Sequence, residues 1–371
     1  MRKQIEQCAN RNRVRADMRK CGNMCLYRRA LTGVLAVLLA VEISACGGKA
    51  KPGQETGVSQ KAEITQEKAS APVWKDMRPE RSMELSYAKQ FSVDYYDGGY
   101  DLIQVQDDST CLVVPEGAAV PEGLPASITV LQKPLDHVYL AATSAMDLIA
   151  ALGRVDRITL SGTKESGWYV DAARQAMEDG TLSYAGKYSA PDYEQILSSG
   201  CDLALESTMI YHVPDVKAQL EQLKIPVFVE RSSYEEHPLG RMEWIRLYGV
   251  LFDAEETAEQ LFQEQVQQLD TVLTGQSVGK SAAFFYITSN GAVNVRKPGD
   301  YVAKMIELAG GSYVPKTADT DENALSTMNM QMETFYAEAK DADILIYNST
   351  IDGELETLDQ LLAKSPLLAD F

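Results

Sequence analysis

A chain of 371 residues with 45% apolar side chains has material for two ordinary domains and their cores. Its formal net charge of −18, from 53 Asp and Glu against 35 Lys and Arg, argues against a nucleic-acid partner, because phosphate backbones would repel it. With three histidines and no C-x-x-C pair among its six cysteines, the sequence offers no zinc quartet.

The first predicted element is a secretory signal. Arg28 and Arg29 precede an apolar stretch over residues 31–41, too short for a stable membrane span, and small residues follow in "ISAC". Ile43-Ser44-Ala45-Cys46 resembles the lipobox of bacterial lipoproteins (aliphatic, small, small, Cys), which implies cleavage after residue 45 and a lipid on Cys46. Glu42 is an unusual residue so close to the apolar run, and Met18 or Met24 is an alternative start. Residues 1–45 carry nine Lys and Arg against three Asp and Glu, so their removal takes the net charge from −18 to −24. Only Cys111 and Cys201 then remain in the mature body, too few for a disulfide framework, although one bridge stays open.

Residues 46–75 are rich in Gly, Ser, Gln, Glu and Lys and are predicted to be a disordered tether. From there to residue 237 we expect a first α/β lobe. It opens with a β-hairpin or short meander, "QFSVDYYDGGYDLIQVQDDSTCLVVPEG", broken at Asp-Gly-Gly and Asp-Asp-Ser. Strand-like and helix-like runs then alternate: "HVYLAAT", "SAMDLIAALG", "RVDRITLSGT", "WYVDAARQAMEDG", "PDYEQILSSG", "CDLALEST", "VPDVKAQLEQLK" and "IPVFVER". Such alternation predicts parallel βαβ units with both sheet faces covered. Residues 238–275 read as one long linking helix, with Leu261, Phe262, Val266, Leu269 and Leu273 on its apolar stripe. Residues 276–371 form a second, shorter α/β lobe with two clear strands, "SAAFFYIT" and "DADILIYNST". Because that region is short and ends in an apolar run at Phe371, we expect it to be truncated.

The order of these parts resembles the substrate-binding lipoproteins of ABC importers for iron–siderophore complexes, haem or cobalamin, in which one long helix joins two Rossmann-like lobes. "PDYEQIL" (191–197) before "CDLAL" (201–205) is similar to the family's Pro-x-x-Glu-x-Ile-x-x-Leu helix and following strand. "GDYVAKMIELAGG" and "METFYAEAKDADILIY" resemble its second-lobe units. The resemblance covers roughly residues 125–371, while the meander and the blocks "STMIYHVPDV" and "SSYEEHPLGRMEWIRLYG" depart from the best-known siderophore binders. It implies a lipid-anchored extracytoplasmic monomer that takes no cofactor. Its partners would be a permease and an ATPase. It also implies permease docking through one glutamate per lobe, here Glu194 and Glu333. The alternative for either residue is a carboxylate favoured by the helix dipole.

In open α/β lobes, ligands lie beyond the carboxyl ends of the strands. That rule selects Thr143, Ser144, Gly162, Thr163, Trp168, Lys187, Tyr188, residues 206–208 and the segment from Arg231 to Tyr234 from lobe one. From lobe two it selects Ser289, Asn290, Arg296, Lys297 and Asn348 with the two residues after it. Arg231, Arg296 and Lys187 would supply charge-assisted contacts to an anionic iron chelate, and Trp168, Tyr188 and Tyr234 flat apolar surface. Against this, Trp168 could pack inward, and Arg296-Lys297 could be a solvated turn. A bare metal ion wants several His and carboxylates together, which His137, His212 and His237 do not promise; haem through His212, His237 or a tyrosine is the alternative. "TGQSVGKS" (274–281) is not a P-loop: three residues separate its glycines where four are needed, and a strand follows instead of a helix. The letters G-x-S-x-G occur within that same stretch (275–279), but a strand follows where a nucleophile elbow needs a helix, and no H-E-x-x-H occurs, so the expectation is a binding protein and not an enzyme. Cobalamin, another solute, or a sensor without transport are the competing readings.

Overall fold

The computed structural model describes residues 71–106, 109–273, 277–316, 327–349, 351 and 355–371. The signal segment, Cys46 and most of the expected tether lie outside them. The tether's last residues belong to the folded body: the backbone amide of Trp74 donates to Glu122, and its ring lies 5.5 Å from that of Tyr96.

The meander is a five-stranded sheet of β1 (Pro79–Ser82), β2 (Phe91–Tyr96), β3 (Tyr100–Val105), β4 (Thr110–Val114) and β5 (Ile128–Gln132), in that spatial order. Its first four strands are antiparallel, and β5 runs parallel to β4. Gly98 and Gly99, at φ of 78° and 80°, make the β2–β3 turn that residues with a Cβ would resist. One face of the sheet (Phe91, Val93, Ile103, Val113, Leu131) joins the main core, and the other buries Leu102, Leu112 and Val114.

Next follow β6 (Val138–Leu140), helix α1 (Thr143–Ala151), β7 (Ile158–Ser161), α2 (Asp171–Glu178) and β8 (Ser183–Tyr184). A two-stranded hairpin of β9 (Gly186–Lys187) and β10 (Ala190–Pro191) leads to α3 (Tyr193–Ser198), β11 (Leu203–Ser207), α4 (Pro214–Gln222) and β12 (Val227–Glu230). The parallel sheet has the order β12-β11-β6-β7-β8. In chain order this is a doubly wound arrangement whose direction reverses between β6 and β11. Both faces are covered, by α1 and α2 on one side and α3 and α4 on the other, which is why β6, β11 and β12 are nearly continuous buried apolar runs.

The expected single linking helix is two helices, α5 (Pro238–Leu251) and α6 (Glu255–Val272). Asp253 adopts a left-handed conformation at φ 52°, and Arg154 binds the carbonyls of Phe252 and Asp253 that the break exposes. The helices fold back on each other: Arg246 on α5 pairs with Glu259 on α6 at 2.7 Å. Gly249 permits the approach, since a Cβ there would stand 2.7 Å from the Cβ of Ala258. Helix α5 is buried along most of its length and carries the core, with Trp244, Leu247 and Tyr248 fully enclosed.

Two buried carboxylates fasten the meander to this hairpin. Glu243 accepts the backbone amides of Ser86, Tyr87 and Ala88, at 2.7 to 2.8 Å. Glu235 accepts those of Lys89 and Gln90 together with Trp244 Nε1. This accounts for Glu235 and Glu243 of the block "SSYEEHPLGRMEW", whose purpose is not readable from sequence.

Lobe two holds β13 (Ser281–Ile287), β14 (Val293–Arg296), helix α7 (Tyr301–Leu308), β15 (Ser312–Val314), β16 (Thr327–Met330), α8 (Met332–Ala339), β17 (Ile344–Tyr347) and α9 (Leu358–Leu362). Five strands therefore appear among the described residues where two were expected. Strand β13 pairs in parallel with β15 and β17, but β14 and β16 are antiparallel additions. The short β13–β14 connection, closed by a Thr288-to-Ala292 backbone bond, allows only an antiparallel return. Phe285, Phe335 and Phe371 form the centre of this lobe's core. Ser281, the last residue of the false P-loop, begins β13.

Candidate functional site

The junction of the two lobes gathers arginines and tyrosines. At the carboxyl end of β12, Arg231 lies with its Cζ 4.4 Å from the centre of the Tyr234 ring, and its Nε donates to Gln90 Oε1 at 3.2 Å. From the first turn of α5, Arg241 donates Nη2 to the Ser233 carbonyl and stacks its guanidinium 3.5 Å over the ring of Tyr301, the first residue of α7. Arg296, ending β14, lies 5.8 Å from the same ring and 3.5 Å from Asp300 Oδ2. Three guanidinium groups and two tyrosines thus come from both lobes and from the helix between them.

Buried carboxylates hold the frame of this cluster. Asp300 caps α7 by accepting the Val302 amide, and burial raises its pKa against the pull of Arg296 and Arg241. Glu230 accepts Ser144 Oγ and the Ser232 amide, each at 2.8 Å, and burial raises its pKa too. The Ser144 bond ties α1 to β12 across the point where strand order reverses. The Arg241 Nε is buried and has no hydrogen-bond partner. Burial lowers the pKa of Arg241, the desolvation expected of a cation with incomplete pairing.

Of the residues predicted from sequence, Arg231 and Tyr234 pair with each other and Arg296 lies at Tyr301, and Arg241 links the two groups through the Ser233 carbonyl and the Tyr301 ring. Lys187 and Tyr188 stand on the β9–β10 hairpin, and Asn348 follows β17, with its amide bonded to the Phe285 carbonyl. Trp168 does not line the cleft: its ring is buried and its Nε1 donates to Ser161 Oγ, leaving Tyr169, 93% of whose surface is exposed, as the outward aromatic. Glu206 is also no lining residue, being fully buried on β11 with neither carboxylate oxygen hydrogen-bonded. Lys297 is buried rather than part of a solvated turn. His237 caps α5, accepting the Leu239 amide on Nδ1, and stacks on Tyr87. Glu194 and Glu333 are both exposed in the first turns of α3 and α8, the former behind an Asp192 cap.

Arg241 and Tyr301 were not singled out from sequence. The Pro-Gly-Asp before Tyr301 does signal a helix start. Nothing local shows that this helix start meets α5.

Two α/β lobes joined by a helical hairpin, with a cationic and aromatic junction, define the class of architecture. No family model matches the chain. It is 23% identical over 350 residues to an uncharacterized lipoprotein of Methanocaldococcus jannaschii, covering 86% of this chain and 79% of that one. Among solved structures it is similar to the periplasmic heme binding protein HutB of Vibrio cholerae, with a TM-score of 0.51 and 18% identity, over 63% of this chain and 84% of that one. An ABC-type Fe3+-hydroxamate transport protein of Saccharomonospora viridis aligns with a TM-score of 0.49 and 21% identity, over 64% and 81% of the two chains. The likeness to the Vibrio cholerae protein shows a shared fold, that of the two-lobed periplasmic binding proteins.

Proposed function

We propose that this chain is the solute-binding component of an ABC importer and captures an anionic, part-aromatic iron chelate between its lobes. The observation that carries the reading is the meeting of Arg241 and Arg296, from α5 and lobe two, at the ring of Tyr301 on the lobe junction, with the Arg231–Tyr234 pair on the adjoining loop of lobe one. Guanidinium groups beside aromatic faces suit a bulky chelate that carries carboxylate or catecholate oxygens. The protein is a carrier and catalyses nothing. It stands outside the cell membrane on a lipid attached to Cys46, and Glu194 and Glu333 present one carboxylate per lobe to the permease. The fold shared with the periplasmic heme binding protein of Vibrio cholerae supports a solute-binding role.

The test is a fluorescence titration of the full-length protein in detergent with ferric catecholates, ferric hydroxamates, haem, cobalamin and free metal ions. Saturation by one anionic ferric chelate, with affinity reduced at least about tenfold in Arg296→Gln, is expected, since one lost charge-assisted bond is worth about 1.5–3 kcal/mol. No saturation by any member of the panel overturns the reading. A second reading, haem as the ligand, draws on the exposed Tyr169, Met209 and Tyr211 of lobe one, which offer flat and soft apolar surface. Saturation by haem alone, insensitive to Arg296→Gln, selects it.

A further inference from the structure

The apolar stripe of α6 outruns the core. Phe262 is enclosed, and Leu261 and Val266 pack against the same cluster, but Leu269 and Leu273 join none of the cores formed by the described residues. They line instead a crevice of about 350 Å³ between the helical hairpin and lobe two. Pro238 and Leu239 of α5 and Met305 and Leu308 of α7 complete its apolar wall. Met305 is 50% exposed, so the crevice is open to a ligand from outside.

The crevice continues the cluster of arginines and tyrosines. Tyr301, Met305 and Leu308 stand at i, i+4 and i+7 and so share one face of α7, a stretch about 10 Å long. On the facing helix, Arg241 follows Pro238 and Leu239 within the first turn of α5, and its guanidinium lies 3.5 Å over the Tyr301 ring. A single face of α7 therefore leads from guanidinium groups to aliphatic side chains.

We propose that the crevice receives an aliphatic arm of the iron chelate, so that the solute is an amphiphile, with an anionic ferric head at Arg241 and Arg296 and an alkyl chain along Met305 and Leu308. The inference rests on the chelate reading above and narrows its solute class. Size selects a small-molecule occupant: 350 Å³ lies at the low end of the range for ligand pockets, about 300–1,000 Å³, and cannot take even two turns of a helix about 10 Å across. Charge selects the orientation. No lining residue of the crevice is charged, so an ionic group would be buried there without a partner and stays at the guanidinium end.

Equilibrium dialysis tests this with the full-length chain in lipid nanodiscs and two ferric catecholamide complexes. Both carry the same anionic head, one with N-methyl and the other with N-hexyl arms. Wild type is expected to bind the hexyl complex at least about tenfold more tightly than the methyl complex, after subtraction of uptake by empty discs. Met305→Glu brings a charge to the wall from a half-exposed position, and Ala309→Trp fills the crevice from its exposed rim. Each is expected to reduce that ratio at least about fivefold. A wild-type ratio within about twofold of unity, or one that both variants leave intact, overturns the arm and leaves the chelate reading standing. Iron-free hexyl amide that binds as tightly as its ferric complex, and is lost in Met305→Glu, also overturns it, because the crevice then takes a separate lipid. No binding of either complex removes the arm and the chelate reading together.

Discussion

Glutamine in place of Glu206 is expected to remove a pH dependence from the stability of lobe one. Glu206 lies on β11 with its side chain among Tyr139, Ala204 and Val229, fully buried and without a hydrogen-bond partner on either oxygen. Burial pushes its pKa from 4.5 up to about 8. The folded state therefore holds the proton more tightly than the unfolded chain does, so stability is greatest below pH 4.5. It falls as pH rises toward the folded pKa and is level above it. At about 1.4 kcal/mol for each pH unit, stability at pH 7 is about 3 kcal/mol below its acid value because the unfolded chain ionises first, and the full loss by pH 8 to 9 approaches 5 kcal/mol. The titratable groups that interact with Glu206 are Tyr139 and Tyr193, and burial raises the pKa of both, so they stay protonated across the window. Urea unfolding of wild type and Glu206→Gln at pH 5, 7 and 8.5 isolates the effect, because every other carboxylate is common to both. The stability difference should move in favour of the variant by roughly 3 to 5 kcal/mol between pH 5 and 8.5. A difference constant within about 0.5 kcal/mol would refute the argument and mean that Glu206 finds a partner or water when ionised.

Other consequences follow from the helical hairpin and its clips. Glu243→Ala strands the amides of Ser86, Tyr87 and Ala88 and should cost about 3 kcal/mol or more in denaturant unfolding, with Glu243→Gln milder because one acceptor survives. Gly249→Val forces apart α5 and α6 at Ala258, and we expect a loss of about 1–3 kcal/mol, seen as a lower Tm. Asp253→Val, at a left-handed position, should cost about 1–2 kcal/mol, while Asp253→Gly stays within about 0.5 kcal/mol of wild type in the same melt; equal effects would show that the turn does not depend on its backbone conformation. Tyr301→Leu removes the face on which Arg241 rests and should weaken chelate binding about threefold to tenfold in the titration, with little change in Tm.

Much of lobe one was legible in the sequence because its signals are local. The apolar runs "HVYL", "LALE" and "VFVE" alternate with capped helices. Asp192 stands ahead of α3, Pro214 opens α4, and Asp-Gly-Gly turns the first hairpin. Each depends on residues a few positions apart, so backbone preference and period suffice to place it. Lobe two was less legible: β14, β15 and β16 are three or four residues long, and "TMNM" and "VNVR" show no run that period alone can separate from loop.

What only the tertiary structure decided is which side chains meet across the chain. Segment 238–275 has helical texture throughout, and its division into α5 and α6 depends on Gly249 meeting Ala258 and on Arg154 reaching the broken turn from about 100 residues away. Trp168 and Tyr169 are equally aromatic, yet one is buried on Ser161 and the other faces solvent. Glu206, selected from sequence as a cleft residue, is buried and answered by nothing, and Glu235 and Glu243 are buried and answered by amides from a distant segment. Arg241 meets Tyr301 only because two lobes are brought together by a helical hairpin. Local sequence sets backbone conformation through short-range sterics and hydrogen bonding. Burial, pairing and the composition of the lobe junction are set by contacts between residues far apart in the chain, which no local period encodes.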